Sequence, residues 1–239
     1  MIPTTVHHLE YGSDAIEFRV ERRSRKTVEI SVLPGGDVHV VAPADASIEK
    51  VTEVVRKRAA WIARQRRFFV SFAERTPPRE YVSGETHLYL GRQYRLKVRL
   101  GIQAGVRLTR GFLLVDSHRP RDREATRELV EAWYMDRAKK KFLERIEQTV
   151  ASFREPDRAR PTGLIIRKLE GRWGSMTPGG RLVLNRNLIK APTPCIDYVI
   201  CHELCHRFEP HHGPAFWQLL ARHMTDWEER KQRLEHFLL

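Results

Sequence analysis

The stretch that most constrains this chain lies near its C-terminus: Cys201-His202-Glu203-Leu204-Cys205-His206-Arg207-Phe208-Glu209-Pro210-His211-His212. It contains H-E-x-x-H, and another histidine stands six positions on. A helix puts residues four apart on one face, so His202 and His206 can grip a single ion. Glu203, one residue on, can reach a water held by that ion, where a general base is needed. Zinc suits the pair, because it takes imidazole nitrogen at about 2.0–2.1 Å and its catalytic sites keep three protein ligands and one water. The third ligand must come from outside this helical turn, since no other position on it converges on the same point. His212 is the first choice. His211 and a carboxylate further on, such as Glu228 or Glu229, are the alternatives.

H-E-x-x-H alone is a weak signal, and helical histidines are often merely solvated. Here, however, five of the chain's 11 histidines fall between His202 and His223. The step from His206 to His212 equals that of the metzincin pattern, but Glu209 replaces the glycine of that pattern, and Pro210 supplies the helix stop instead. Cys195, Cys201 and Cys205 are odd in number and clustered, which fits a reducing cytoplasm rather than a disulfide framework. Cys201 and Cys205 lie about 100° around the helix from the histidines, so they read as small buried thiols behind the metal face.

At 239 residues the chain can hold one large domain or two small ones with a sizeable core. No run approaches the length of a membrane span, and the N-terminus lacks the apolar segment of a signal peptide, so no membrane and no export are expected. The formal charge of +13 attracts polyanions, chiefly nucleic acid, or serves solubility alone.

Along the chain, Tyr11–Val20 reads as a first strand and Glu21–Lys26 as an exposed basic connection. Thr27–Leu33 alternates, Pro34-Gly35-Gly36-Asp37 turns, and Val38–Val41 returns, giving a hairpin closed by Pro43. Ser47 caps a helix in which Val54/Val55, Trp61/Ile62 and Phe68/Phe69 recur every seven residues and Arg56, Lys57, Arg58, Arg64, Arg66 and Arg67 line the other faces. Thr76-Pro77-Pro78 breaks it. Strands at Thr86–Leu90 and Tyr94–Leu100 follow, the second alternating Tyr94, Leu96, Val98 and Leu100 with the basic strip Arg95, Lys97 and Arg99. Val106–Leu108 and Phe112–Val115 form one more hairpin around Arg110-Gly111. Val130, Tyr134, Ala138, Phe142, Ile146 and Val150 mark a long helix from Asp122. Leu164–Leu169 and Arg181–Asn185 are strands, with a loop over Glu170–Met176 and a turn at Pro178-Gly179-Gly180. Pro192 and Pro194 precede the histidine helix, and Gly213-Pro214 opens a last one.

Taken together, Arg172-Trp173-Gly174-Ser175, Leu184-Asn185, Leu188, Ile196–Ile200 running into His202–His206, and His212–Trp217 resemble the YgjP-like zinc metallopeptidases, relatives of the SprT and Wss proteases. Ala42-Pro43, Trp61-Ile62 and Leu90-Gly91-Arg92-Gln93-Tyr94 extend the resemblance over nearly the whole chain. Cys205 and Gly213 depart from the residues common there, but neither is a predicted ligand. The resemblance implies a zincin-like catalytic half with His202, His206 and His212 as zinc ligands and Glu203 as base. It leaves two substrate classes open, because SprT and Wss relatives act on DNA-bound proteins while some YgjP-like members carry a nucleotide-pyrophosphatase label.

The expectation is therefore an α+β chain. Residues 1–120 form a β-rich subdomain with a basic helix. Residues 121–239 form the zincin-like half, with a small antiparallel sheet, the H-E-x-x-H helix and flanking helices. The expected activity is that of a cytoplasmic metallopeptidase holding one Zn²⁺ and acting on polypeptide, with nucleic acid as a candidate partner of the basic surface. The alternative is a metal-dependent nucleoside triphosphate pyrophosphatase whose Arg172 and Arg186 hold phosphates. A nucleic-acid module with structural zinc is disfavoured, since such sites are closed by four protein ligands. Arg172, Trp173, Asn185, His211 and His223 are candidate substrate contacts. Trp173 is more readily a brace. The residues do not single out an oxyanion donor; Arg172, His211 and His223 are the candidates. Asp197 or Asp226 could orient a ligand imidazole.

Overall fold

A computed structural model describes residues 5–11, 14–24, 27–32, 36–70, 79–169 and 172–237. The expected turn at Pro34-Gly35, the break at Thr76-Pro77-Pro78, the Glu170-Gly171 start of a loop and the side chains of Arg67, Phe68, Phe69 and Phe237 lie outside the described residues. The chain divides into two compact units, residues 1–76 and 77–238.

In the first unit, β1 (Thr5–Tyr11), β2 (Asp14–Arg23), β3 (Glu29–Val32) and β4 (Val38–Pro43) form one sheet in the order β1-β2-β4-β3. β2 and β4 run parallel in the middle, and each outer pair is antiparallel. Alternation builds it: Ile16, Phe18 and Val20 on β2 and Val38, Val40 and Ala42 on β4 are buried on one face. α1 (Ile48–Lys57) starts where Ser47 Oγ accepts the Lys50 amide at 3.4 Å, and α2 (Ala59–Val70) follows. Val51, Val55 and Ile62 complete this core. The expected single helix is two, because Arg58 leaves helical geometry at φ −102°, ψ 4°. The expected first strand begins later, at Asp14, and keeps Arg22 and Arg23 within it. β1 escaped notice because only Leu9 of its seven residues is buried, so it carries no alternating pattern.

The second unit repeats that sheet plan. β5 (Thr86–Tyr89), β6 (Arg92–Leu100), β7 (Gly105–Thr109) and β8 (Phe112–Ser117) order as β5-β6-β8-β7, again two antiparallel hairpins joined by a parallel central pair. Arg110 and Gly111 at the β7–β8 turn take φ of 35° and 85°, as a tight hairpin requires. α3 (Arg123–Val150) begins at Asp122, whose Oδ1 accepts the Ala125 amide at 3.0 Å. Its stripe of Val130, Tyr134, Ala138, Phe142, Ile146 and Val150 is buried, as the four-residue spacing predicts. This stripe shares one core with Leu96, Leu113 and Val115 of the sheet and with the histidine helix. The second sheet thus belongs with the C-terminal half, and the division expected at residue 120 falls inside one compact unit.

A helical turn, α4 (Pro156–Ala159), leads to β9 (Gly163–Arg167), β10 (Gly174–Met176) and β11 (Arg181–Asn185). The expected antiparallel sheet is mixed: β10 and β11 form a hairpin, but β11 lies parallel to β9. A 3-10 turn over Arg186–Lys190 precedes α5 (Thr193–Cys205), and α6 (Pro214–His223) and α7 (Trp227–Phe237) end the described chain. The single last helix that was expected is interrupted at Met224, which turns to φ −151°, ψ 92°. No helix among the described residues is long and apolar enough to cross a membrane.

His87 on β5 is 1% exposed, its Nδ1 has no hydrogen-bond partner among the described residues, and Glu85 sits 3.2 Å from Nε2. Burial, with the Arg79 charge adding to it, pushes its pKa down to about 4. The unfolded chain therefore binds the proton more readily, so stability rises with pH between about 4 and 6.5 and is lost as pH falls through that window. His87→Asn should flatten the urea-unfolding free energy against pH there, by up to about 1.4 kcal/mol per pH unit. An unchanged slope would contradict the assignment.

Candidate metal centre

α5 is the most enclosed helix of its unit. Cys195, Ile196, Val199, Ile200, Cys201, Leu204 and Cys205 are all buried. Pro194 fits the helix's first turn, where an amide hydrogen has no helical partner. Arg145 on α3 ties the helix down, reaching Asp197 Oδ1 and Oδ2 at 2.5 and 2.7 Å. The helix ends at His206, the Glu209 amide bonds back to the Cys205 carbonyl at 2.9 Å, and Pro210 follows.

This end of the helix brings three imidazoles together. His212 Nε2 lies 2.9 Å from His202 Nε2 and 3.1 Å from His206 Nε2. His202, His206 and His212 thus offer nitrogens that all fall within 4.8 Å of one another. A tetrahedral ion with Zn–N bonds of about 2.0–2.1 Å would separate its ligand nitrogens by about 3.3 Å, close to what these rings already show. His206 Nδ1 lies 3.0 Å from the Glu209 carbonyl, which can only accept, so Nδ1 carries the proton and the Nε2 lone pair is free for an ion. Burial, reinforced by His206 and His212, pushes the His202 pKa down to about 3, and burial lowers those of His206 and His212 as well. Neutral imidazole is the metal-binding form. The residues fit zinc.

Under the three rings lies Phe216 of α6, fully buried, with centroids 4.9, 4.6 and 4.7 Å from His202, His206 and His212. Trp217 stacks on His212 at 5.6 Å and donates its indole N–H to the His212 carbonyl at 3.2 Å. Trp227 stacks behind Trp217 at 4.8 Å.

Glu203, on the same turn, is 7% exposed. Burial raises its pKa to about 7, although the Met176 backbone N–H and the Arg172 charge pull the other way. Strand β10 is pressed against it. A Cβ at Gly174 would lie 2.9 Å from Glu203 Cγ, 3.0 Å from its Oε1 and 2.9 Å from Val199 Cγ1, so only glycine fits without a shift.

The remaining sequence candidates are distributed differently. His211, Glu228 and Glu229, the rival third ligands, are outside the histidine group. Arg172 is exposed, and Trp173 packs against the core. Asn185 is 4% exposed: its Nδ2 donates to the Leu169 and Arg172 carbonyls at 2.9 and 3.1 Å, and its Oδ1 accepts from Asn187. It clamps the loop before β10. His223 stacks on Phe153 with centroids 3.8 Å apart. Asp197 is paired with Arg145 and Asp226 with Arg230, so neither is the expected partner of a ligand imidazole. Cys201 and Cys205 are buried, and contact with Cys201 raises the Cys205 pKa. Sequence reasoning missed the roles of Gly174 and Met176, whereas Phe216, expected to pack against the histidine helix, does so. Of these two, only the glycine leaves a trace, as a small residue at the start of the strand.

The family model of the YgjP-like metallopeptidase domain matches residues 26–237, most of the chain. The chain belongs to the YgjP-like metallopeptidase family, which implies a bound metal. Comparison with curated proteins finds no match.

Purified chain loaded with zinc should hold about one ion, measured by plasma mass spectrometry after dialysis. His202→Ala/His206→Ala should hold almost none, and His212→Ala should lose its ion to a weak chelator that the parent resists. A double variant that keeps its zinc would contradict the ligand set.

Proposed function

We propose that this chain is a zinc-dependent peptidase in which Glu203 is the general base for attack of water on a peptide carbonyl. The observation that carries the reading is the convergence of three imidazole Nε2 atoms beside a buried carboxyl whose pKa is raised to about 7. His202, His206 and His212 would hold the zinc, which when bound supplies Lewis acidity to a water and a carbonyl.

Glu203 takes a proton from the attacking water at a carboxylate oxygen and returns it to the leaving amine nitrogen, which is the usual double duty of one acid–base group. A carboxyl titrating near neutrality is suited to both halves of that transfer. The Met176 N–H fixes the carboxylate, and Gly174 leaves room for it. Arg172 is exposed and its charge reaches Glu203, which makes it a candidate to meet negative charge on the carbonyl oxygen. Three buried free thiols accord with action in the cytoplasm.

The pyrophosphatase alternative is less well supported. Phosphoryl chemistry favours hard ions on oxygen ligands, whereas these ligands are all nitrogen. Arg186, one of its proposed phosphate holders, is already paired with Glu131 at 2.8 Å.

Glu203→Gln should keep its zinc and lose at least about 10²-fold in kcat on a cleavable peptide. Gly174→Ala, which displaces the base without touching the ligands, should lose roughly 10²-fold in kcat at unchanged metal content. Near-parent turnover by the Gln variant would refute the base assignment.

A further inference from the structure

The β5-β6-β8-β7 sheet has two faces, and its core uses only one. Leu96, Leu113 and Val115 turn toward α3. By register, the opposite face carries three rows: Arg95 beside Phe112 and Thr109, Lys97 beside Leu114 and Arg107, and Arg99 beside Asp116 and Gly105. Arg95, Lys97, Arg99 and Arg107 are all exposed. Leu114 is 7% exposed but does not belong to the core cluster that includes α3, and its register puts it on this outer face between Lys97 and Arg107.

The charge on this face is one-sided. Its acid, Asp116, is held by Arg99 at 2.5 Å and Arg107 at 2.7 Å. Neither Arg95 nor Lys97 has an ion-pair partner among the described residues. Along β6, alternate residues advance by about 6.6 Å, so Arg95, Lys97 and Arg99 form a straight row of cations. Within that field Phe112 is 40% exposed, and the Lys97 ammonium stands 6.0 Å from its ring centroid. At the far end of the row, Arg99, Leu100, Ile102 and Arg107 help line a shallow hollow of about 670 Å³.

We propose that this sheet face binds single-stranded nucleic acid, with the phosphate backbone along Arg95 and Lys97 and a base stacked on Phe112. Cations that track a backbone together with an aromatic ring that receives a base are the two elements such sites combine. A duplex would meet the cations but keeps its base faces hidden, and an acidic polypeptide offers no base to the ring. The inference rests on the second unit's fold and is independent of the peptidase reading.

The test is fluorescence anisotropy of a short labelled oligodeoxythymidylate with the full, metal-loaded chain across a salt series. Arg95→Gln/Lys97→Gln keeps long stems on the sheet, so it should fold. It should weaken binding at low salt at least about tenfold and flatten the log–log salt slope by about 1.4, for two phosphate contacts at about 0.7 each. Phe112→Ala should weaken binding about tenfold with the slope unchanged, because stacking is not ionic. Lys139→Gln/Lys140→Gln, on the exposed side of α3, should bind like the parent. Equal binding by the parent and the Arg95/Lys97 variant would overturn the proposal. So would a duplex or polyglutamate competitor that displaces the oligonucleotide as well as an unlabelled single strand does, and so would a neutral Phe112→Ala.

Discussion

The second unit is organised around the burial of one carboxylate. Glu203 is 7% exposed, and a buried carboxylate is unfavourable unless hydrogen bonds or charge answer it. Here one backbone N–H, from Met176, and the Arg172 charge answer it in part, and the pKa still rises to about 7. This incomplete compensation has structural consequences. β10 must approach α5 closely enough for its amide to reach the side chain, which Gly174 alone permits. β10 is in turn fixed by its pairing with β11, and the loop before it by the Asn185 amide.

The histidines obey a complementary constraint. Burial and the charges of His206 and His212 hold His202 neutral, burial and the His206 charge act likewise on His212, and burial lowers His206 against the Glu209 carbonyl bond. His212 Nε2 lies 2.9 and 3.1 Å from the Nε2 atoms of His202 and His206, so three neutral imidazoles meet at one point, where a cation would be received. Phe216 touches all three rings, so the packing that orders the site comes from α6 rather than from the helix that carries two of the histidines. The Arg145–Asp197 pair then fixes the histidine helix to α3.

Much of this was legible in the chain. The four-residue stripe of α3 and the alternation of β6 are direct readouts of burial on one face, and H-E-x-x-H set the helix, two of the grouped histidines and the carboxylate. Spacing and resemblance favour His212 over His211, and the structure groups His212 with His202 and His206. What stayed hidden lacks a side-chain signature. β1 buries only Leu9, and β10 is a three-residue strand that begins with glycine and read as loop. The break at Arg58 uses neither glycine nor proline. The parallel pairing of β9 with β11 depends on which edge the hairpin joins, which no local pattern records. The Met176 amide could belong to any residue, so no sequence reading can single it out.

The most direct test of the account is X-ray absorption spectroscopy of the zinc-loaded chain. Three imidazole nitrogens near about 2.0–2.1 Å with one further light-atom ligand are predicted, as in a catalytic site with a place left for water. Sulfur in the first shell at about 2.3 Å would instead bring Cys201 or Cys205 to the metal and contradict the histidine centre.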